Sequence, residues 1–327
     1  MKYLVFGFSV TSQDDGYVER CAALRAQTHP DDEIVKVSIG GLGPDLARHL
    51  VGGFITAHQP DALIIEVSTA AYRVRPETPA NIADHTASME AMFAICKAQG
   101  IRCGLLDLPR TDVNDEADWM VRMHVDLSRS YNIPHRIVPL TDGTLRDFVH
   151  PNDAGKDLYA GVLFDLIDTI HQTAPDFGTL LVEQSFEAFA IKDLDIPNAT
   201  LTWFARAGFK ENMLTIEEGE TAEIIMPKPV LITGLIMLMG PTSGTFLIKR
   251  GDIEDRMHCY DRNCYYRRVN GKHLKPVMAD RLSVSQSDAR PSEELQKGKK
   301  NEGPRVGGIT HVLYQNISSK NHVIEHR

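Results

Sequence analysis

Between residues 1 and 172, apolar runs of strand character alternate with segments of helical periodicity, and this alternation limits the fold more than any other feature. Lys2–Phe8 is a β-rich apolar run, and Gln13–Gln27 repeats buried-type residues at Val18, Cys21 and Leu24. Glu33–Val37 reads as a second strand. Pro44–His58 reads as a helix with Leu46, Leu50 and Phe54 on one face. Asp61–Val67 (DALIIEV) is a continuous apolar strand, the pattern expected when both faces are covered. A helix is predicted over Asp84–Gln99, a strand over Ile101–Asp107, a helix over Ala117–Tyr131 and a strand over Ile133–Leu140. The last helix, Asp153–His171, carries Leu158, Val162, Leu166 and Ile170 along one stripe. Such an order predicts a parallel sheet with helices on both faces. Ligands of such sheets gather at the carboxyl ends of the strands. The chemistry is therefore to be sought just after residues 8, 38, 67, 107 and 140.

The character changes at Ala174-Pro175. Beyond it, short apolar runs recur between turn residues: Leu201–Ala205, Thr221–Ile225, Val230–Met239, Gly244–Ile248, Cys264–Val269 and Ile309–Tyr314. This pattern predicts a β-sandwich or jelly-roll domain. Ser283–Gly307 is polar, rich in Pro and Gly, and reads as a long loop. The 327 residues thus divide into an α/β domain over 1–174 and a β domain over 175–327. Trp203 and Phe204 read as core residues, with sugar stacking as the alternative.

Net charge is −9 and no tract of consecutive Lys/Arg stands out, so a nucleic-acid partner has no support. The longest apolar run, Val230–Met239, falls well short of the roughly 18–20 residues that span a bilayer, so no membrane partner is expected. The apolar N-terminal run leads straight into a candidate motif and reads as a mature first strand, which places the chain in the cytoplasm. The five cysteines are too sparse for a disulfide framework. Cys259 and Cys264 read as unligated thiols rather than as a hairpin disulfide or, with His258, part of a zinc set. His85, His124 and His135 have no matched partners in the sequence and read as surface or core histidines.

Three segments carry candidate chemistry. Gly7-Phe8-Ser9 ends the first strand and puts a hydroxyl at the carboxyl edge of the sheet; a turn serine is the plainer alternative. Asp147-Phe148-Val149-His150-Pro151-Asn152 follows the fifth strand. A serine needs a base to act as nucleophile, and His is the usual one. That imidazole needs an acceptor, which Asp147 offers from the same loop. A capping loop with an incidental His is the alternative, since Asn152 or Asp153 suits a helix start. Ser38-Ile39-Gly40-Gly41-Leu42-Gly43 follows the second strand. Its glycines allow a backbone N–H to face an oxyanion above Ser9, or else make a tight strand–helix turn.

Taken together, the three segments resemble blocks I, II and V of the SGNH (GDSL-type) hydrolases, over roughly residues 1–172. The resemblance implies a flavodoxin-like three-layer α/β/α fold with a five-stranded parallel sheet, and hydrolysis of carboxylic esters, including O-acetyl groups on carbohydrates. It implies Ser9 as nucleophile, His150 as general base, Asp147 as its orienter, and the N–H groups of Ser9 and Gly43 as oxyanion donors. The sequence departs from the family in two places. Phe8 stands where the family has the Asp of Gly-Asp-Ser. Ala70 stands where block III has its oxyanion-donating Asn, so Ser68 or Thr69 is assigned as the substitute donor. Asn81, further along, is a more distant candidate for that donor. Residues 70–83 form a loop over the same edge, and Tyr72, Arg73 and Arg75 are assigned to substrate binding.

The reading is a serine esterase with an acyl-enzyme and neither metal nor organic cofactor, acting on small acyl, chiefly O-acetyl, esters of saccharides. An O-acyltransferase using the same acyl-enzyme is the alternative. A non-catalytic carbohydrate-binding or scaffold protein on a decayed hydrolase fold is the further one. Self-association into a homo-oligomer is compatible with the pattern.

Overall fold

The computed structural model describes residues 1–113, 118–178, 180 and 185–316. The chain divides into two compact units, Met1–Val182 and Glu183–Arg327.

In the first unit, β1 (Lys2–Gly7), β2 (Glu33–Ser38), β3 (Ala62–Ile65), β4 (Arg102–Asp107) and β5 (His135–Ile137) form a five-stranded sheet in the order β2-β1-β3-β4-β5. Every pairing in it is parallel. Alternation along the strands divides the apolar side chains between two faces. Tyr3, Val5, Ala62, Ile64 and Leu106 pack with residues of α1 (Tyr17–Thr28) and α6 (Asp153–Gln172), among them Cys21, Leu163 and Ile167. On the opposite face Phe6 meets Phe54 of α3 (Val51–His58), with ring centroids 5.7 Å apart. The helices α4 (Pro79–Gln99) and α5 (Trp119–Tyr131) also pack on β4. Three layers result, as expected.

The departures from expectation have local causes. The segment read as one helix over 44–58 is two, α2 (Pro44–Ala47) and α3. The N–H groups of His49 and Leu50 reach back only three residues, to Leu46 and Ala47, which tightens and ends the first turn. Helix α4 begins earlier than its periodicity suggests, because Thr78 caps it through Asn81 N (3.2 Å) and Pro79 follows. Helix α5 starts at Trp119; the expected start at Ala117 lies outside the described residues.

The second unit is all antiparallel. It comprises β6 (Ser185–Ala190), β7 (Thr200–Arg206), β8 (Phe209–Glu217), β9 (Thr221–Met239), β10 (Thr245–Arg250), β11 (Ile253–His258), β12 (Arg268–Gln286) and β13 (Val306–Asn316). Among the described residues these join one hydrogen-bonded sheet, ordered β11-β10-β12-β9-β13-β8-β7, with β6 also on β13. Its core includes Ile232, Phe246, Val284 and Val312. The runs 221–225 and 230–239, read as two strands, are one long strand. Pro227 and Pro229 between them lack N–H donors, and the ladder to β12 breaks there, between Ala279 and Arg281. Cys259 and Cys264 are buried free thiols. Phe204 is core, packed edge-on to Phe209 at 6.1 Å. Trp203 is 60% exposed, against expectation, and lines a hollow of about 450 Å³ with Ala205, Arg206 and Arg267.

Candidate active site

The carboxyl edge of the parallel sheet is where the candidate side chains fall. Ser9 lies in the turn that follows β1, partly exposed. The loop after β2 runs directly beside it: a Cβ built on Gly40 would lie 3.6 Å from both Cα and Cβ of Ser9. Gly43 ends that loop as the N-cap residue of α2. Among the described residues, neither the Ser9 N–H nor the Gly43 N–H has a hydrogen-bond partner. Both are therefore donors presented at the edge.

Asp147 and His150 are brought together within one loop. The His150 Nδ1 lies 2.9 Å from Asp147 Oδ2 and 3.0 Å from Oδ1. The same Oδ1 accepts the backbone N–H groups of His150 (2.8 Å) and Val149 (3.0 Å). Partial burial pushes the Asp147 carboxyl up, but those N–H donors and the imidazole outweigh it and hold the group below the usual carboxylate range. An ionised acceptor on Nδ1 fixes the ring and makes Nε2 the nitrogen left to act as a base. The loop closes onto α6, whose N-cap Asn152 accepts Gly155 N–H at 3.1 Å. The Ser9 hydroxyl makes no hydrogen bond to His150 among the described residues. Catalytic hydrogen bonds are often loose before substrate arrives.

Other contacts stitch the loops of this edge to one another. Thr111 N–H donates to Phe148 O at 2.9 Å, tying the segment after β4 to the Asp147–His150 loop. Arg110, buried, donates to Thr69 O (2.7 Å) and Ala70 O (3.1 Å), and its guanidinium lies 5.3 Å from the Phe148 ring. Leu108 N–H donates to Ser68 Oγ at 2.8 Å.

Several assigned roles do not fit this arrangement. The Thr69 hydroxyl donates to Glu66 Oε2 (3.2 Å) and its N–H to Glu66 Oε1 (3.0 Å). The Ser68 hydroxyl also turns to Glu66, at 3.5 Å. Both residues are buried, so neither presents a free hydroxyl in place of the family's Asn. Asn81 lies in the first turn of α4, and its side chain donates to Pro76 O at 2.8 Å. Arg73 is buried and faces inward: its Nε bonds Asp118 at 2.9 Å, and one terminal nitrogen bonds Ser68 O and Leu108 O. Tyr72 is buried too, with its hydroxyl on Asp84 at 2.8 Å. Arg75, half exposed, is the one of the three that faces solvent; it stacks on Tyr72 at 3.9 Å and approaches Asp45 of α2 at 3.9 Å.

Sequence reasoning missed two groups. Glu66 is fully buried behind the Ser9 turn. Asp107 takes His124 Nδ1 at 2.7 Å and His135 Nε2 at 2.8 Å, and His124 Nε2 meets His85 Nε2 at 2.8 Å. Burial raises the Asp107 pKa, but His124 and His135 hold it well below the carboxylate range. Burial and then the neighbouring His124 depress that of His85. The three histidines read as separate are thus linked: two share one buried acid, and His85 joins them through His124. The available sequence signal was the acid ending β4 at a strand terminus, without any spacing to link it to helices.

No family model and no curated protein matches the chain. Among solved structures, it is similar to a two-domain esterase active on acetylated mannans, co-crystallised with mannopentaose. The TM-score is 0.68 at 14% identity, covering 97% of this chain and 90% of that one. A second structure of a two-domain esterase active on acetylated mannans gives 0.67 at 14% identity, covering 97% and 91%. At such identity the likeness is one of fold, and it runs through both units. The chain has the fold of that two-domain esterase: an α/β unit on a five-stranded parallel sheet and a second unit on an antiparallel β-sheet.

Proposed function

We propose that this chain is a serine esterase that removes small acyl groups, chiefly O-acetyl, from saccharides. One observation carries the reading: Asp147, ionised and held by its own loop, fixes the His150 ring through Nδ1 at the sheet edge where Ser9 lies beside the loop of Gly40. His150 Nε2 takes the proton from Ser9 Oγ as that oxygen attacks the ester carbonyl. The tetrahedral oxyanion rests on the N–H groups of Ser9 and Gly43. His150 then protonates the departing sugar oxygen and the acyl-enzyme forms. Water, deprotonated by the same nitrogen, attacks the acyl carbonyl and frees Ser9.

With Ala70 in the family's Asn place, and Ser68 and Thr69 engaged by Glu66, the oxyanion has two backbone donors instead of three. Losing one donor typically costs about 10²–10³ in turnover, so a slow enzyme is expected. The saccharide assignment is supported by the activity of the two-domain esterase that shares the fold. Arg75, exposed beside Gly43 through its approach to Asp45, is assigned to the sugar side of the site.

The test is labelling with a fluorophosphonate serine probe, run on the native protein, Ser9→Ala and His150→Ala. It is paired with acetate release from acetylated mannan and from acetylated xylo-oligosaccharides. Labelling that requires both residues, with acetate release abolished by Ser9→Ala, is the expected result. Folded native protein that neither labels nor releases acetate refutes the reading. Adding an unacetylated saccharide as acceptor separates hydrolysis from acyl transfer.

A further inference from the structure

We propose that Glu66 is a positioning residue for the Ser9 turn, its buried carboxylate tying that turn to the loop after β3. The inference rests on Ser9 being the nucleophile. Glu66 N–H donates to Phe6 O at 2.8 Å, so the residue is the last rung of the β1–β3 ladder. Its side chain then reaches across to the turn beyond β1. There Oε2 accepts Thr11 Oγ1 at 2.9 Å and Phe8 N–H at 3.4 Å. Ser9 lies between these two anchor points on a single oxygen. From its own loop the carboxylate takes Thr69 N–H, Thr69 Oγ1 and Ser68 Oγ. Tyr17 OH, 2.9 Å from Thr11 Oγ1, adds α1 to the network.

Two features set Glu66 apart from a space-filling residue. First, no Lys or Arg pairs with Glu66 among the described residues, and burial pushes its pKa up against the pull of its donors. A buried acid without a cation is a costly way to fill space, and an apolar residue would do so more cheaply. Second, five groups converge from two loops, and each oxygen takes one backbone N–H that can only donate, Thr69 N–H on Oε1 and Phe8 N–H on Oε2. Glutamine would face part of that set with an N–H of its own. Gly7 has made room for the arrangement: a Cβ there would overlap Thr11 Oγ1 and lie 2.8 Å from Glu66 Oε2. The consequence for catalysis is geometric. The Ser9 backbone sets both the hydroxyl that attacks and one N–H of the oxyanion hole.

The test compares native protein, Glu66→Gln and Thr11→Val in three measurements: kcat and KM for p-nitrophenyl acetate, the rate of fluorophosphonate labelling, and the circular dichroism spectrum. A displacement near 1 Å costs about 10²-fold, so Glu66→Gln is expected to lower kcat and labelling rate by roughly 10–100-fold. KM stays within about twofold, because the binding surface is untouched. Thr11→Val, which removes one anchor, shifts both rates the same way by less. A role confined to stability would leave the folded variant's kcat and labelling rate at native values. Native rates in folded Glu66→Gln, while native protein labels at Ser9, overturn this proposal and leave the esterase reading standing. Native protein that does not label at Ser9 overturns both. If Glu66→Gln does not fold, Thr11→Val decides, and a native kcat there refutes the positioning role.

Discussion

Replacing Asp147 by Asn tests the base side of the site at almost constant shape. Asp147 Oδ1 is fixed by two backbone donors, the N–H groups of Val149 (3.0 Å) and His150 (2.8 Å). In the variant the amide oxygen must keep that place, because an NH₂ there would face two N–H groups. The NH₂ then occupies the Oδ2 position, 2.9 Å from His150 Nδ1. It can only donate, so the Nδ1–H tautomer keeps just Oδ1, 3.0 Å away and already shared by two N–H groups, and the balance shifts toward a proton on Nε2. That is the nitrogen the mechanism needs as a base. A wrong tautomer of this kind lowers kcat by about 10⁴, or roughly 5 kcal/mol of barrier. KM should hold, since no substrate contact is removed. The assay is initial-rate hydrolysis of p-nitrophenyl acetate, with His150→Ala and the double variant as references. The double variant should be little worse than His150→Ala, because the two residues act as one unit. A loss below about tenfold for Asp147→Asn would mean that the contact at Oδ2 does not set the tautomer of His150, and would refute the reasoning.

Asp107→Asn removes the shared acceptor of His124 and His135, both buried; breaking a buried pair of this kind should cost roughly 3–5 kcal/mol in urea unfolding at pH 7. The folded pKa of Asp107 is depressed, so its contribution is present above the unfolded value of about 3.9 and fades as pH falls through the lower folded value; the gap to the variant should close on acidification. Gly7→Ala forces a Cβ into Thr11 and toward Glu66 Oε2, an overpacking expected to lower the denaturant midpoint by about 1–3 kcal/mol equivalent, with loss of probe labelling. All five cysteines are buried and burial pushes the Cys259 thiol up to about 12, so a thiol reagent at pH 8 should react slowly with folded protein and promptly after unfolding. Fast modification of the folded chain would contradict the buried packing.

Some of this was legible in the sequence, and the reason is range. The parallel sheet follows from strand–helix alternation, a local signal repeated five times. Asp147 and His150 sit in one loop, so their pairing needs three residues of chain and no knowledge of the fold. Arg73 and Tyr72 illustrate the opposite case. Their sequence places them in an edge loop, but the 3₁₀ turn at Ala71–Val74 points them inward, onto Asp118 and Asp84. Neither acid is near them in sequence. Glu66 was hidden for the same reason: its anchors Phe8 and Thr11 come from the turn after another strand. In the second unit, the prolines of β9 cut one strand into two apparent ones, because the break in periodicity is real even though the backbone runs on.

Three carboxylates end up at or near the carboxyl edge, and their surroundings give them different properties from the same chemistry. Glu66 meets neutral donors alone, so burial dominates and its pKa rises. Asp107 is equally buried, but two imidazoles face it and its pKa falls. Asp147 is partly exposed, and its own loop's N–H groups together with the His150 ring lower it. The first two lock loops: Glu66 joins the turn after β1 to the loop after β3, and Asp107 joins the end of β4 to β5 and α5. The third faces a ring whose other nitrogen is left for chemistry. This division predicts a pH pattern. Acidification should first protonate Glu66, whose pKa is raised, and loosen the Ser9 turn on which the rate depends, and only at lower pH cost the fold, when Asp107, whose pKa is lowered, loses its charge. Activity and unfolding measured together from pH 8 to pH 3 should therefore separate, with the rate falling while the circular dichroism spectrum is unchanged. Coincident loss of the two would mean that the edge titrates as a single structural unit, and would refute this division of roles.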